Sequence, residues 1–114
     1  MGRQKGDPVL CGVGYASVGD GAPRIAMKKL TGTTGSTEGD STSISHGLTQ
    51  SKIIAFQVLV DSDAGNSIPP AFTVTAEYLY SAYLNSTNVV IMLATSSSGN
   101  LLTKAITVLI ICEE

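Results

Sequence analysis

The residues with the best claim to chemistry are the glycines near the amino terminus. Gly12, Gly14 and Gly19 form a glycine-rich series. A dinucleotide fingerprint would also require glycine at position 17, which is Ser17, and no helix-period pattern follows. A Gly-x-Ser-x-Gly nucleophile elbow around Ser17 fails as well, because position 15 is Tyr15. The sequence contains no catalytic constellation, and we expect the protein not to be an enzyme.

A second candidate is the acidic segment that begins at Asp61. Asp61, Asp63 and Asn66 resemble the start of a calcium-binding loop. Such a loop needs a further series of ligands and a bidentate glutamate at its end, whereas this chain reaches Pro69-Pro70 almost at once. Asp and Gly in this context are more typical of a hairpin connection, which is the interpretation we favour.

The soft metal ligands are two cysteines and one histidine. Cys11 and Cys112 lie near opposite ends of the chain, and His46 is the single histidine. Zinc needs three or four clustered ligands, so we expect no metal and no cofactor. A disulfide would tie the first strand to the last, and two buried free thiols fit equally well. We favour free thiols.

The segment 72–80 alternates as a β-strand would, with tyrosines on one side. Tyrosines on a strand can stack on sugar rings, so Tyr78 and Tyr80 with the neighbouring Glu77 form a candidate glycan-binding group. The alternative is that Tyr78 and Tyr80 fill the rim of the core or a subunit interface, with their hydroxyls reaching water. We favour this alternative.

The low charge content of the chain favours assembly. Its 114 residues suffice for one domain with one core. The charged fraction is 14%, well below the roughly 25% of an average soluble protein. A monomer needs charge to stay soluble and to discourage pairing of strand edges. We therefore expect copies of the chain, or a larger particle, to cover much of the surface.

Positive charge is concentrated in the amino-terminal part of the chain. We interpret residues 1–40 as an extended Gly/Ser/Thr-rich basic attachment arm that docks on an acidic partner surface or a neighbouring subunit. Its candidate contact residues are Arg3, Lys5, Arg24, Lys28 and Lys29. The arm lacks the dense Lys/Arg run or interleaved aromatics that would follow a phosphate backbone, so nucleic acid is not an expected partner.

Two interpretations of residues 24–30 stay open: part of the extended arm, or a strand with Ile25, Met27 and Lys29 on one side. The following Gly/Ser/Thr-rich stretch predicts a long mobile loop or linker. It places the boundary of the folded domain at residue 41, with the domain extending to residue 114.

Residues 43–60 predict a short strand, a tight turn and a long strand. His46-Gly47 supplies a residue that can take positive φ, and Leu48 can fold back as a hydrophobic plug. From residue 53 to residue 60 almost every side chain is apolar. We therefore expect a central strand that is packed on both faces.

Strands that are apolar on both faces need two coverings, and residues 105–112 share this character. In a sandwich the opposite sheet covers one face, and a neighbouring subunit is the natural covering for the other. The apolar runs are strand-length and far short of the roughly twenty residues of a membrane span, so we expect no membrane partner. The candidate assembly residues are Ile53, Ala55, Leu59, Ile110 and Cys112.

The spacing of the predicted strands defines the fold class. Roughly six to eight short strands, joined by Gly/Ser/Asn turns and without sustained helical periodicity, predict an all-β fold. We expect an antiparallel β-sandwich of jelly-roll or immunoglobulin-like style, preceded by the extended arm.

Several of these segments together suggest a family. A Ser-Ile-Ser-His-Gly-Leu motif, a long apolar strand, a Gly-Asn-x-Ile-Pro-Pro segment, a Tyr-rich strand and a final apolar strand follow one another in the sequence. Over residues 41–113 this succession resembles the small β-sandwich modules of bacteriophage tail fibres and other virion-surface proteins. It is also distantly similar to the six-stranded sandwich of H-type lectins, which form trimers and hexamers and bind sugars.

The resemblance implies a structural role. Such phage modules are usually trimeric and non-enzymatic, and the arm before them commonly attaches the module to the particle. The expected protein is a component of the virion surface, such as a capsid decoration, head-fibre, collar or tail-fibre protein, with other virion proteins and further copies of itself as partners. The alternative is a lectin-like module that recognises host surface glycans.

Overall fold

The computed structural model describes residues 16–17 and 24–113 of the chain. The described strands are β1 (Ala16–Ser17), β2 (Arg24–Thr33), β3 (Ser41–Ser45), β4 (Ile53–Asp61), β5 (Ser67–Ile68), β6 (Tyr80–Leu84), β7 (Asn88–Leu93) and β8 (Ala105–Glu113). Short 3₁₀ helices lie at Gln50–Lys52 and Gly99–Leu101. In this part of the chain, no helix is both long and apolar enough to cross a membrane.

The strands form two antiparallel sheets, so the predicted all-β antiparallel sandwich is confirmed. The five-stranded sheet has the order β1-β2-β8-β4-β5, and the three-stranded sheet has the order β3-β7-β6. The connections from β3 to β4 and from β7 to β8 cross from the three-stranded to the five-stranded sheet, and those from β2 to β3 and from β5 to β6 cross in the opposite direction. Gly47 in the first of these has φ 65°, as predicted for this turn.

The core lies between the sheets and follows from alternation along β8 and β7. The even-numbered residues from Ile106 to Cys112 are at most 1% exposed. They belong to one hydrophobic cluster with Val89, Ile91 and Leu93 of the opposite sheet. A strand with one buried face places every second side chain inside, which is the pattern that these residues show.

The central strand of the five-stranded sheet is β8. It pairs with β2 along its whole length and with β4 along most of it. Among the described strands, β4 pairs on its other side with β5 alone, at Val60 and Asp61. Residues 53–60 thus form an inner strand of the sheet, as predicted, but the middle position belongs to β8, and β5 covers only the end of β4. Almost every residue from 53 to 60 is apolar because alternate side chains of β4 pack in the core and the others lie on the outward side of the sheet.

The structure places residues 24–33 in the sandwich. β2 forms nine consecutive residue pairs with β8, from Ile25 to Thr33. The predicted domain boundary at residue 41 thus cuts through the five-stranded sheet, and of the two open interpretations of this segment the strand is confirmed. The remainder of the predicted arm lies largely outside the described residues.

The mobile loop predicted over residues 31–45 is wrong at both ends, where the chain forms the end of β2 and all of β3; β3 itself confirms the short strand predicted before the His46-Gly47 turn. The connection between them, residues 34–40, is tied to the rest of the fold by hydrogen bonds. Thr34 is buried, and its hydroxyl donates to Leu101 O at 2.6 Å. Leu93 N donates to Asp40 O at 3.0 Å.

The predicted strand over residues 72–80 is also wrong. Residues 71–79 form turns and bends, and β6 begins only at Tyr80. Ala71 and Glu77 have φ of 61° and 74°, values in the left-handed region that a continuous strand excludes. A backbone hydrogen bond of 2.8 Å from Ala71 N to Tyr80 O closes this loop against the start of β6.

Cys112 corrects the expectation of free thiols. Its side chain is fully buried on the inner side of β8, and it is disulfide-bonded. The other cysteine of the sequence, Cys11, lies outside the described residues.

Candidate assembly surface

The outward side of the five-stranded sheet carries both apolar and polar side chains, and the apolar ones adjoin one another at one end of it. Residues that alternate with the core along β2, β8 and β4 lie on this side, and register arranges them in rows across the three strands. The three central rows, named here the outer face, are Met27–Ile111–Ala55, Lys29–Leu109–Gln57 and Thr31–Thr107–Leu59.

Several of these side chains are open to solvent. Met27 is 62% exposed and Leu109 is 38% exposed. Ile54, next to the first row, is 51% exposed. Lys29 is the single charged residue in the three rows. Isolated exposed apolar residues are ordinary, but a contiguous set on one sheet face is typical of an interaction surface.

The edge of the sheet at β4 is poorly suited to hydrogen bonding with an added strand. Register shifts between Ile53 and Ala55, which is the irregularity of a β-bulge. Further along, Val58 O accepts a hydrogen bond of 3.0 Å from Gln57 Nε2 and one of 3.3 Å from the hydroxyl of Tyr80. Bulges and occupied carbonyls are ways in which proteins prevent pairing with another strand.

The predicted assembly residues divide between the two sides of the sheet. Ala55 and Leu59 lie on the outer face. Ile53 is half-buried and packs against the core. Ile110 and Cys112 are 0% exposed and lie on the inner side of β8, so their assignment to a subunit interface is wrong. The sequence analysis missed Met27, Leu109 and Ile111, although the strand interpretation had placed Met27 on one side of β2.

The structure separates the three predicted glycan-binding residues. Tyr80 is 0% exposed, and its hydroxyl donates to Ile68 O at 2.6 Å, so its assignment to a glycan surface is wrong. Burial also raises the pKa of the Tyr80 hydroxyl above its ordinary value. Tyr78 packs edge-to-face on Phe72, with ring centroids 6.2 Å apart. Glu77 Oε1 accepts a hydrogen bond of 3.1 Å from Gly99 N.

The outward side of the three-stranded sheet also mixes apolar and polar side chains. Tyr83 is 48% exposed and Met92 is 42% exposed. Register places Tyr83 and Ser43 on either side of Val90, and Met92 beside Ser81. Val90 is 6% exposed although it lies on this side. Hydroxyl groups therefore separate the apolar groups here, as Thr31 and Thr107 do in one row of the outer face.

His46 is a buried polar residue whose structural role the sequence analysis missed. It is 0% exposed. Its Nδ1 accepts a hydrogen bond of 3.0 Å from Leu48 N, so the hydrogen must be on Nε2, which donates to Asn85 O at 2.9 Å. The ring is therefore the neutral tautomer and links the turn after β3 to the turn after β6. In the sequence, the position of the single histidine directly before Gly47, at the end of a predicted strand, is the feature that could have indicated this role.

The basic residues predicted for the attachment arm fall in two groups. Arg24, Lys28 and Lys29 belong to β2, and Lys28 Nζ donates to His46 O at 2.8 Å. Lys28 therefore stabilises the His46 turn from the neighbouring sheet. Arg3 and Lys5 lie outside the described residues.

Within residues 16–17 and 24–113, no cluster of three or more His, Cys, Asp or Glu side chains is placed to hold a metal ion. Comparison of the chain with protein-family models, with curated proteins and with solved structures finds no match.

Proposed function

We propose that the protein is a structural component of a phage virion that assembles as a homo-oligomer through its β-sandwich. In this proposal the residues before the sandwich attach it to the particle, and the assembly is located at the capsid or tail surface. The resemblance over residues 41–113 supports the class of protein, and the outer face supports the assembly.

The proposal rests on two observations together: exposed apolar side chains adjoin one another on the outer face, and the chain as a whole carries little charge. Met27, Leu109 and their neighbours expose apolar surface on a sheet whose opposite side is fully occupied by the core. Covering such surface stabilises an assembly by roughly 25 cal/mol per Å² of apolar area removed from water. A copy of the same chain, or another virion protein, supplies that covering.

The mass of the full chain in solution tests the proposal. Multi-angle light scattering over a range of concentrations is expected to give an oligomer, and the resemblance implies three subunits or a multiple of three. A truncated chain that begins at residue 41 is unsuitable, because it would lack β2. A monomer at every concentration would contradict self-assembly, and the exposed Tyr83 would then favour the alternative function, recognition of host surface glycans.

A further inference from the structure

We infer that the outer face packs against the outer face of a second copy, about a two-fold axis that runs parallel to β8. This inference rests on the proposed function and deepens it by naming the surface and the symmetry of the contact. It is carried by the register of β2, β8 and β4, by the position of Lys29 and by the state of the sheet edge.

The edge of β4 argues against pairing with another strand at this side of the sheet. The bulge between Ile53 and Ala55 interrupts the edge, and the Gln57 side chain and the Tyr80 hydroxyl occupy Val58 O. An added strand would have to displace these groups before it could form its own hydrogen bonds. On the outer face, in contrast, Met27 and Leu109 are 62% and 38% exposed.

Register makes the outer face complementary to itself. A two-fold axis parallel to β8 lays β8 on its counterpart and lays β2 of each copy over β4 of the other. Leu109 and Ile111 then meet their own counterparts in the centre of the contact. Met27 meets the partner's Ala55, so that a long side chain lies over a short one. Facing sheets interdigitate in this manner when they pack with their strands nearly aligned.

Lys29 selects this axis over the other simple two-fold arrangement. An axis perpendicular to the strands and through the row of Leu109 would place Lys29 against the partner's Lys29. Like charges in contact oppose association. The axis parallel to β8 places Lys29 against the partner's Gln57, whose carboxamide oxygen can accept its hydrogen bond.

The dimensions of the outer face set the expected strength. The three rows span five residues along each strand, and the strands lie about 4.8 Å apart, so the outer face covers roughly 250 Å² per copy, or roughly 500 Å² for the pair. Specific stable interfaces bury about 1,200–2,000 Å² in total. We therefore expect a weak pair that depends on concentration in solution and is reinforced when several copies are held on one particle.

Sedimentation equilibrium of the full chain over a range of concentrations tests the contact. The expected result is an even number of subunits: a dimer, or a hexamer if pairing joins two of the trimers that the resemblance implies. Leu109→Lys is expected to raise the dissociation constant of the pair at least tenfold. Met92→Lys is the matched control, because Met92 is similarly exposed, at 42% against 38%, but lies on the other sheet. It is expected to leave the constant unchanged, and circular dichroism checks that both variants fold.

A second variant tests the symmetry. Gln57→Glu places a carboxylate against the partner's Lys29 if the axis is parallel to β8, so association should tighten severalfold at low salt and lose this gain at high salt. With the perpendicular axis, the same variant brings two carboxylates together and weakens association. Gln57→Ala separates this charge effect from loss of the hydrogen bond to Val58 O.

The remaining outcomes distinguish the inference from the proposed function. A trimer that does not pair, or an oligomer whose association Leu109→Lys leaves unchanged, overturns the inference but retains self-assembly. Weakening by Gln57→Glu overturns the parallel axis. A monomer at all concentrations overturns both the inference and the proposed assembly.

Discussion

Leu109 and Ile110 are adjacent on β8, yet the fold uses them in opposite ways. Ile110 is 0% exposed within the core cluster, whereas Leu109 is 38% exposed on the outer face. Both are branched apolar residues of similar volume, so the difference comes from the side of the sheet and not from residue type. Side chains on the inner side should determine whether the chain folds, and those on the outer side whether folded chains associate.

The largest expected effect comes from shortening the inner residue. Ile110→Ala removes three buried carbon atoms and leaves a cavity, so we expect the free energy of unfolding to fall by about 4 kcal/mol. Urea unfolding followed by circular dichroism measures this loss. Leu109→Ala is the matched control on the same strand, and in the dissociated chain it should cost less than about 1 kcal/mol. Equal losses in the two variants would contradict the distinction between the two sides of β8.

An intermediate effect is expected at His46, where the comparison is between a buried polar side chain and its exposed neighbour. His46→Ala leaves Leu48 N and Asn85 O without their partner on the imidazole ring. Buried polar groups without partners cost about 1–3 kcal/mol each, and relaxation of the turns allows part of this to be recovered, so we expect a loss of about 2–3 kcal/mol. Ser45→Ala is the control.

Thermal and urea unfolding of the two variants measure this difference. If Ser45→Ala lowered the free energy of unfolding as much as His46→Ala does, the loss could not be assigned to the imidazole hydrogen bonds.

The contrast between Leu109 and Ile110 also shows which features of the fold could be predicted from the sequence. Short apolar runs between turn residues are a local property, so the all-β class follows from them, whereas the alternation over residues 72–80 predicted a strand that the structure does not contain. Residues 108–111 of β8 are all apolar, and no alternation there shows which residues face the core. For that reason Ile110 was assigned to an interface and Leu109 was not.

Long-range pairing was equally out of reach of the sequence pattern. The central position of β8 depends on its pairing with both β2 and β4, whose residues are distant in sequence. Turn residues, in contrast, correctly predicted the backbone at Gly47, where φ is positive. The same kind of prediction failed before β6, because Ala71 and Glu77 adopt positive φ without the glycine that usually marks it.

The smallest expected effect compares a buried tyrosine with an exposed one. Tyr80→Phe removes the hydroxyl that donates to Ile68 O, and we expect a loss of about 1 kcal/mol at neutral pH. Tyr83→Phe is the control, because Tyr83 is 48% exposed. In the dissociated chain it should change the free energy of unfolding by less than about 0.5 kcal/mol.

Alkaline pH should make this comparison sharper. Burial raises the pKa of Tyr80 above its ordinary value of 10.0, so the folded chain keeps this proton at a pH where the unfolded chain releases it. Below pH 10 both states hold the proton and the group adds no pH dependence. Above pH 10 the unfolded state binds fewer protons, and stability must fall as pH rises.

Urea unfolding between pH 8 and pH 11 measures this slope. The decline above pH 10 should be steeper in the wild-type chain and in Tyr83→Phe than in Tyr80→Phe. A Tyr80→Phe variant that declined as steeply as the wild type would show that the buried hydroxyl does not control alkaline stability. The measured difference in slope thus reports whether the Tyr80 hydroxyl is as enclosed as its contacts with the Ile68 and Val58 carbonyls indicate.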